Sequence, residues 1–130
     1  MTSGKVLIVE DDDDLRRGLA LRLRALGYEV ALAQDGLNAV VIGRQERPDA
    51  VLLDIGLPGG DGISVLDRYA NLAALCATPV VVLTGRDPAT VESLVRSRPN
   101  VTAFLRKPAD NDELAAALAA AIHPDGGDGG

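Results

Sequence analysis

Short apolar runs alternate five times with stretches of helical spacing along the 130-residue chain. Three runs, at residues 5–9, 50–53 and 79–83, contain almost no polar residues, which is typical of strands buried on both faces. Two others, at residues 28–32 and 101–105, mix polar and apolar residues as strands at a sheet edge do. The pattern therefore predicts an α/β domain with three central strands and two peripheral ones.

The helical stretches follow from spacing and from residues that favour helix ends. Apolar residues recur every three or four positions in each stretch, and aspartate, proline and glycine mark several of the boundaries. The predicted helices lie near residues 15–26, 36–46, 62–76, 88–98 and 110–122. Cys76, at the end of the third helix, is expected to be a small buried apolar residue.

Two strand orders are compatible with five strand–helix units joined by right-handed crossovers. The order 3-2-1-4-5 would put the third strand at an edge, although residues 51–53 are among the most apolar in the chain. The order 2-1-3-4-5 puts both mixed strands outside. We therefore predict a (βα)5 flavodoxin-like fold with a doubly wound parallel five-stranded sheet of order 2-1-3-4-5. Residues 1–123 form this domain, and residues 124–130 are expected to be a flexible tail or the start of a linker.

Charge and composition narrow the choice of partners. The net charge is −6 and the chain has only two tyrosines, one phenylalanine and no tryptophan. Direct binding to nucleic acid is disfavoured, because it needs a basic surface and exposed aromatic rings. One cysteine, no signal peptide and no long apolar span indicate a soluble cytoplasmic protein that does not bind membranes.

Acidic residues follow the first and third predicted strands. Glu10 and Asp11 come directly after the first strand, and Asp54 comes after the third. In the predicted topology the chain direction reverses between these strands, so their carboxyl ends flank the binding crevice. Two carboxylates about 4 Å apart would repel by roughly 4 kcal/mol at an effective dielectric constant near 20. The cluster therefore calls for a cation, and oxygen ligands favour Mg²⁺, with Mn²⁺ as an alternative.

A hydroxyl and an ammonium group end the last two strands. Thr84 ends the fourth strand beside the small residue Gly85, and Lys107 follows the fifth. An ammonium group can pair with a phosphoryl oxygen. A carboxylate nucleophile, a cation, a hydroxyl and an ammonium group are the parts that phosphoryl transfer to Asp54 requires.

Four segments in this order resemble the receiver domain of bacterial two-component response regulators, the CheY-like superfamily. They are VLIVEDD at residues 6–12, LDIGLP at 53–58, VLTG at 82–85 and FLRKP at 104–108. The resemblance extends over residues 5–122. It implies a signalling domain that phosphorylates and dephosphorylates itself rather than a turnover enzyme. The implied partners are a histidine kinase or histidine phosphotransfer protein and an output domain or effector protein.

The resemblance also assigns roles to residues. It implies that Asp54 is the phosphoacceptor and that Mg²⁺ is held by the acidic pair Glu10 and Asp11, by Asp54 and by the carbonyl of Gly56. Thr84 and Lys107 would contact the phosphoryl group. Thr84 and Phe104 would be the switch residues, with Phe104 reorienting upon activation. The output surface would comprise the predicted helix at 88–98, the fifth strand and the last helix.

Alternatives remain open at this point. The run of four aspartates permits Asp11–Asp12 as the acidic pair, although the strand end favours Glu10–Asp11, and Asp12, Asp13 and Asp14 are also expected at a helix start. A phosphatase of the haloacid dehalogenase type uses similar groups but normally has an aspartate where this chain has Gly56. A flavin or nucleotide binder would need a glycine-rich or hydroxyl-rich loop after the first strand.

Overall fold

The computed structural model describes five strands and four helices, over residues 3–56, 61–85, 89, 92–93 and 98–124. The strands are β1 Lys5–Val9, β2 Glu29–Ala33, β3 Ala50–Asp54, β4 Val80–Thr84 and β5 Val101–Arg106. The helices within the described residues are α1 Asp13–Ala25, α2 Gly36–Glu46, α3 Asp61–Ala70 and α4 Asn111–Ile122. Most of the predicted helix at 88–98 lies outside the described residues.

All five strands are parallel and lie in the predicted order β2-β1-β3-β4-β5. The register aligns their carboxyl ends, because Val9 pairs with Leu53, Asp54 with Leu83 and Thr84 with Arg106. Residues that follow different strands are therefore brought to one edge of the sheet. The prediction of a flavodoxin-like doubly wound sheet is confirmed.

Apolar side chains from the helices cover both faces of the sheet. On one face, Leu66 and Tyr69 of α3 pack with Ala39 of α2, and the Tyr69 hydroxyl donates a hydrogen bond to the Ala39 carbonyl at 2.6 Å. On the other face, α1 and α4 contribute a second cluster. Every residue of β3 and β4 is buried, whereas β2 and β5 are mostly half-buried edge strands, as the apolar and mixed patterns predict. The second cluster includes Leu19, Leu23, Leu114 and Leu118.

Aspartate side chains cap the N-termini of α1, α2 and α4. The side chains of Asp12, Asp35 and Asp110 accept hydrogen bonds from backbone N–H groups in the first turns of α1, α2 and α4. At α4 the Glu113 side chain completes a reciprocal capping box with the backbone of Asp110. These caps fix where the chain turns from each strand-end loop into a helix.

The third helix is shorter than its spacing predicts. The prediction extended it to about Cys76, but α3 ends at Ala70, where hydrogen bonds from Asn71 to Arg68 and from Leu72 to Tyr69 tighten the chain into turns. In these turns Leu75 is fully buried. Its neighbour Cys76 is exposed, so the prediction of a buried cysteine is wrong.

Candidate functional site at the carboxyl edge of the sheet

Three carboxylates converge at the carboxyl ends of β1 and β3. Glu10, Asp11 and Asp54 each offer an oxygen, and these oxygens lie within 4.8 Å of one another. Glu10 is 1% exposed and Asp54 is 6% exposed, whereas Asp11 is exposed to solvent. The predicted meeting of these three residues is thus observed, with two of them beneath the surface and one at its rim.

An ammonium group bridges the two buried carboxylates. The Lys107 Nζ lies 2.8 Å from Oε1 of Glu10 and 3.1 Å from Oδ2 of Asp54. The backbone N–H of Lys107 also donates to the carbonyl of Thr84 at 2.8 Å. The end of β4 therefore helps to place the start of the loop that carries this lysine.

Backbone N–H groups orient the other oxygens of these carboxylates. The Gly56 N–H donates to Oδ1 of Asp54 at 2.9 Å, and the Asp12 N–H donates to Oε2 of Glu10 at 3.3 Å. Each buried carboxylate thus has one oxygen on the backbone of its own loop and the other on Lys107. The arrangement presents Asp54 in a defined orientation.

Burial changes the proton affinity of the site. It raises the pKa of Glu10 to about 7. The hydrogen bond from Lys107 lowers this pKa and the nearby Asp54 carboxylate raises it, so that Lys107 offsets the total rise only in part. Burial alone would lower the pKa of Lys107, but the hydrogen bond to Glu10 and the charge of Asp54 outweigh it and raise that pKa. Lys107 therefore stays charged at neutral pH, and the metal-free site holds a proton on Glu10 more readily than an exposed glutamate does.

We expect the metal-free protein to lose stability as the pH rises from about 4.5 to about 7, because folded Glu10 binds a proton that unfolded Glu10 releases in this window. The contribution is up to about 3 kcal/mol of unfolding free energy. Urea denaturation in a chelator at pH 4.5, 6 and 7.5 measures it, with Glu10→Gln as the control. Equal slopes of unfolding free energy against pH for the two proteins would contradict the expectation.

The donor set fits a hard divalent cation. Among the described residues, three carboxylates face one ammonium group, so this part of the site carries excess negative charge when all three are ionised. All the ligand atoms offered are oxygens, and Mg²⁺ is bound through one or two carboxylates, water and phosphate oxygens. Glu10, Asp11 and Asp54 therefore suit Mg²⁺, and on the same chemistry Mn²⁺.

The remaining predicted site residues lie at or near the same edge. Thr84 ends β4 and is buried, and Gly56 contributes its N–H to the Asp54 carboxylate. Phe104, in β5, is half-buried and packs against the core cluster on the α2–α3 face. Asp12 caps α1 instead of joining the acidic cluster, which favours Glu10–Asp11 as the acidic pair. The roles of Thr84 and Phe104 in switching stay predictions.

Two arginines of α1 support the site, and sequence reasoning missed both. Arg16 donates to the carbonyl of Glu10 at 2.9 Å and pairs with Asp13. Arg22 donates to the side chain of Asn111 and to the carbonyl of Ala109 in the loop after Lys107. In sequence, Arg22 is only a basic residue in the last turn of a helix, where the helix dipole already explains it. No local sequence pattern indicates the hydrogen bonds of Arg22, whose partners lie 87 and 89 positions away.

Comparison with known proteins agrees with this fold and acidic site. The model of the response regulator receiver domain family matches residues 6–119. The chain is 33% identical to the protein PilH of Pseudomonas aeruginosa over 110 residues, which is 85% of this chain and 90% of PilH. It is 34% identical over 127 residues to the transcriptional regulatory protein CseB of Streptomyces coelicolor, covering 95% of this chain but 53% of CseB. The chain belongs to the response regulator receiver domain family.

A solved structure adds information on the metal. The receiver domain of the sensor histidine kinase PA1611 from Pseudomonas aeruginosa has a magnesium ion coordinated in its active-site cleft. It superimposes with a TM-score of 0.81 at 29% identity, covering 92% of this chain and 97% of that one. The acidic cluster here is compatible with Mg²⁺ binding of the kind that receiver domains have.

Family membership also sets the general context. Receiver domains of two-component systems interact with histidine kinases and output domains. Among the residues that the structure describes, no helix has the length and apolar character needed to cross a membrane. Several matched regulators are about twice as long as this chain, which spans 53% of CseB and 54% of the response regulator MprA of Mycolicibacterium vanbaalenii.

Proposed function

We propose that this domain accepts a phosphoryl group on Asp54 from the phosphohistidine of a histidine kinase or a histidine phosphotransfer protein. One observation carries the proposal. The buried Asp54 carboxylate lies between the Gly56 N–H, the Lys107 ammonium and two further carboxylates that can share a divalent cation. This is a nucleophile surrounded by groups able to stabilise the negative charge of a transferred phosphoryl group.

The chemical step is an in-line displacement at phosphorus. A carboxylate oxygen of Asp54 forms a bond to phosphorus while the nitrogen–phosphorus bond of the donor breaks. The bonding electron pair stays on the ring nitrogen, and a donor ring protonated on its other nitrogen leaves as neutral imidazole. Lys107, released from Asp54 Oδ2, pairs with a phosphoryl oxygen. Hydrolysis of the acyl phosphate by water returns the Asp54 carboxylate and phosphate.

Glu10, Asp11, Asp54 and the carbonyl of Gly56 are the groups that would hold Mg²⁺. The bound cation supplies positive charge to the phosphoryl oxygens. Glu10 would both orient Lys107 and help to hold the cation. One of its oxygens contacts Lys107, and an oxygen of the same carboxylate belongs to the acidic cluster. If Glu10 loses its proton when the metal binds, its negative charge would add to the charges of Asp11 and Asp54 that attract the cation.

Phosphorylation would act as a switch because it adds a charge of roughly −1.5 to −2 at the end of β3. Thr84, at the adjacent end of β4, would turn its hydroxyl to a phosphoryl oxygen. Half-buried Phe104, whose backbone pairs with β4 at Val82, would then move inward. The readout surface would be β5, α4 and the segment at 88–98, which contacts the partner or output domain.

The domain would act as a stoichiometric signalling module rather than as a turnover enzyme. Incubation with acetyl phosphate and Mg²⁺, followed by intact-mass spectrometry, tests this. We expect one added phosphoryl group per chain, no uptake in a chelator and slow loss after donor removal. Rapid multiple-turnover release of phosphate from phosphate monoesters would instead support the phosphatase reading, and no mass increase would reject the proposal.

Mg²⁺ is expected to raise the melting temperature because it binds the folded carboxylate cluster and relieves repulsion there. At a concentration of about 100 times Kd the stabilisation is about 2.7 kcal/mol, or roughly 10 °C for a domain of this size. Differential scanning calorimetry with Mg²⁺ against Na⁺ of equal ionic strength measures it. Asp11→Asn should reduce the shift, whereas Asp14→Asn, on the exposed start of α1, should leave it unchanged. An equal shift in all three proteins would exclude this cluster as the metal site.

A further inference from the structure

The loop between β5 and α4 carries Lys107 and is tied to a distant helix. Arg22, in the last turn of α1, donates from Nε to the side-chain oxygen of Asn111 at 2.7 Å and from Nη2 to the carbonyl of Ala109. These acceptors lie two and four residues beyond Lys107. One guanidinium group therefore holds both the loop and the first residue of α4.

The helix that carries Arg22 is anchored in the hydrophobic core. Leu19, Ala20 and Leu23 of α1 are buried in the core cluster on one face of the sheet. On the other side of the loop, the Lys107 N–H is bonded to the Thr84 carbonyl. The loop is thus fixed before Lys107 by the sheet and after it by α1.

We propose that Arg22 is a positioning residue for Lys107: its two hydrogen bonds hold the β5–α4 loop so that the ammonium group stays between Glu10 and Asp54. The expected effect of Arg22 on the rate of phosphoryl uptake rests on the proposed function, whereas its expected effect on the position of the Lys107 ammonium does not. Lysine is a flexible chain with a point charge at its end, so the place of its ammonium depends on where the backbone is held. Displacements of about 1 Å at a reacting centre can cost orders of magnitude in rate.

An arginine suits this task better than a lysine. Its planar guanidinium presents donors in a fixed fork, and here two of them reach two acceptors on different residues. A lysine at position 22 has one nitrogen and cannot reproduce both bonds in the same geometry. We therefore expect Arg22→Lys to behave like Arg22→Met rather than to restore function.

The kinetic test compares phosphoryl uptake from acetyl phosphate at saturating Mg²⁺ in single and double variants. Arg22→Met should slow uptake about tenfold. It should leave the Mg²⁺ affinity within about twofold, because Arg22 contacts none of the three carboxylates and the Lys107 charge remains near them. In a Lys107→Met background, adding Arg22→Met should change the rate by less than about twofold, because Arg22 acts through Lys107. The control is Arg24→Met, since exposed Arg24 lies in the same turn and its guanidinium has no partner among the described residues.

A structural readout separates this inference from the proposed function. The chain has only two lysines, Lys5 and Lys107, so NMR of the lysine side-chain ammonium groups gives at most two signals. In metal-free protein the Lys107 signal should shift or broaden in Arg22→Met, whereas the Lys5 signal, from a lysine paired with Glu46 at 3.2 Å, should not. A rate loss of equal size with and without Lys107, or an unmoved Lys107 signal, would overturn the positioning role. Failure of the unaltered protein to take up phosphate would reject the proposed function alone, because the NMR result still decides the role of Arg22.

Discussion

Asp54→Asn is expected to abolish phosphoryl uptake while keeping the fold. The amide occupies the same volume at the end of β3 and its oxygen can still accept from the Gly56 N–H, but it is not a nucleophile of comparable strength. It also removes one of three clustered negative charges, which relieves repulsion in the metal-free protein. Intact-mass spectrometry with acetyl phosphate and Mg²⁺ measures uptake, and circular dichroism reports the fold.

A neighbouring aspartate provides the matched control. Asp12→Asn removes one carboxylate close to the site, and asparagine also caps helices through its side-chain oxygen. This variant should take up the phosphoryl group within about twofold of the unaltered rate, since an equivalent cap keeps the local structure. Uptake by Asp54→Asn would show that Asp54 is not the acceptor. Complete loss in Asp12→Asn would contradict the expectation that only the carboxylate at position 54 is required.

Lys107→Met is expected to slow phosphoryl uptake by about 10²–10³-fold, the typical effect of removing one preorganised group that stabilises developing charge. The methionine keeps the apolar stem and removes the ammonium that contacts Glu10 and Asp54. Mg²⁺ should still bind, and more tightly, because a competing positive charge has been removed from the carboxylates. Uptake kinetics and isothermal titration with Mg²⁺ measure the two effects separately.

The second lysine controls for loss of charge alone. Lys5 lies at the opposite end of β1 and pairs with Glu46 at 3.2 Å on the surface. Lys5→Met changes the net charge by the same amount, and an exposed ion pair contributes about 1 kcal/mol or less. Its uptake rate should remain that of the unaltered protein. Equal rates for Lys107→Met and Lys5→Met would remove Lys107 from the chemical step.

The strand order could be predicted because central strands, which are buried on both faces of the sheet, have more continuous apolar sequences than edge strands. The segment 50–53 has no polar side chain, and it lies in the middle of the sheet as β3. Once the order is known, parallel register places Glu10, Asp54 and Lys107 at one edge, because each lies at or directly after the carboxyl end of a strand. The convergence of the site therefore followed from strand pattern and topology together.

Other features depend on packing that the sequence pattern does not encode. Apolar spacing continues from α3 to Leu72 and Leu75, yet the helix stops at Ala70, and only Leu75 is fully buried. The spacing predicted a longer helix because apolar residues buried by turns can have the same spacing in sequence as residues on one face of a helix. The Arg22 contact to Ala109 spans 87 positions and depends on the packing of α1 beside α4. Periodicity within one helix carries no information about such a partner.

Chemical mapping of the modified residue identifies the phosphoacceptor. Protein incubated with acetyl phosphate and Mg²⁺ is treated with borohydride, which reduces an aspartyl phosphate to homoserine, and is then digested and sequenced by mass spectrometry. We expect homoserine at position 54, dependent on Mg²⁺ and absent when the donor is omitted. Homoserine at Asp11 or Asp12, or none at any position while phosphate is retained, would contradict this expectation.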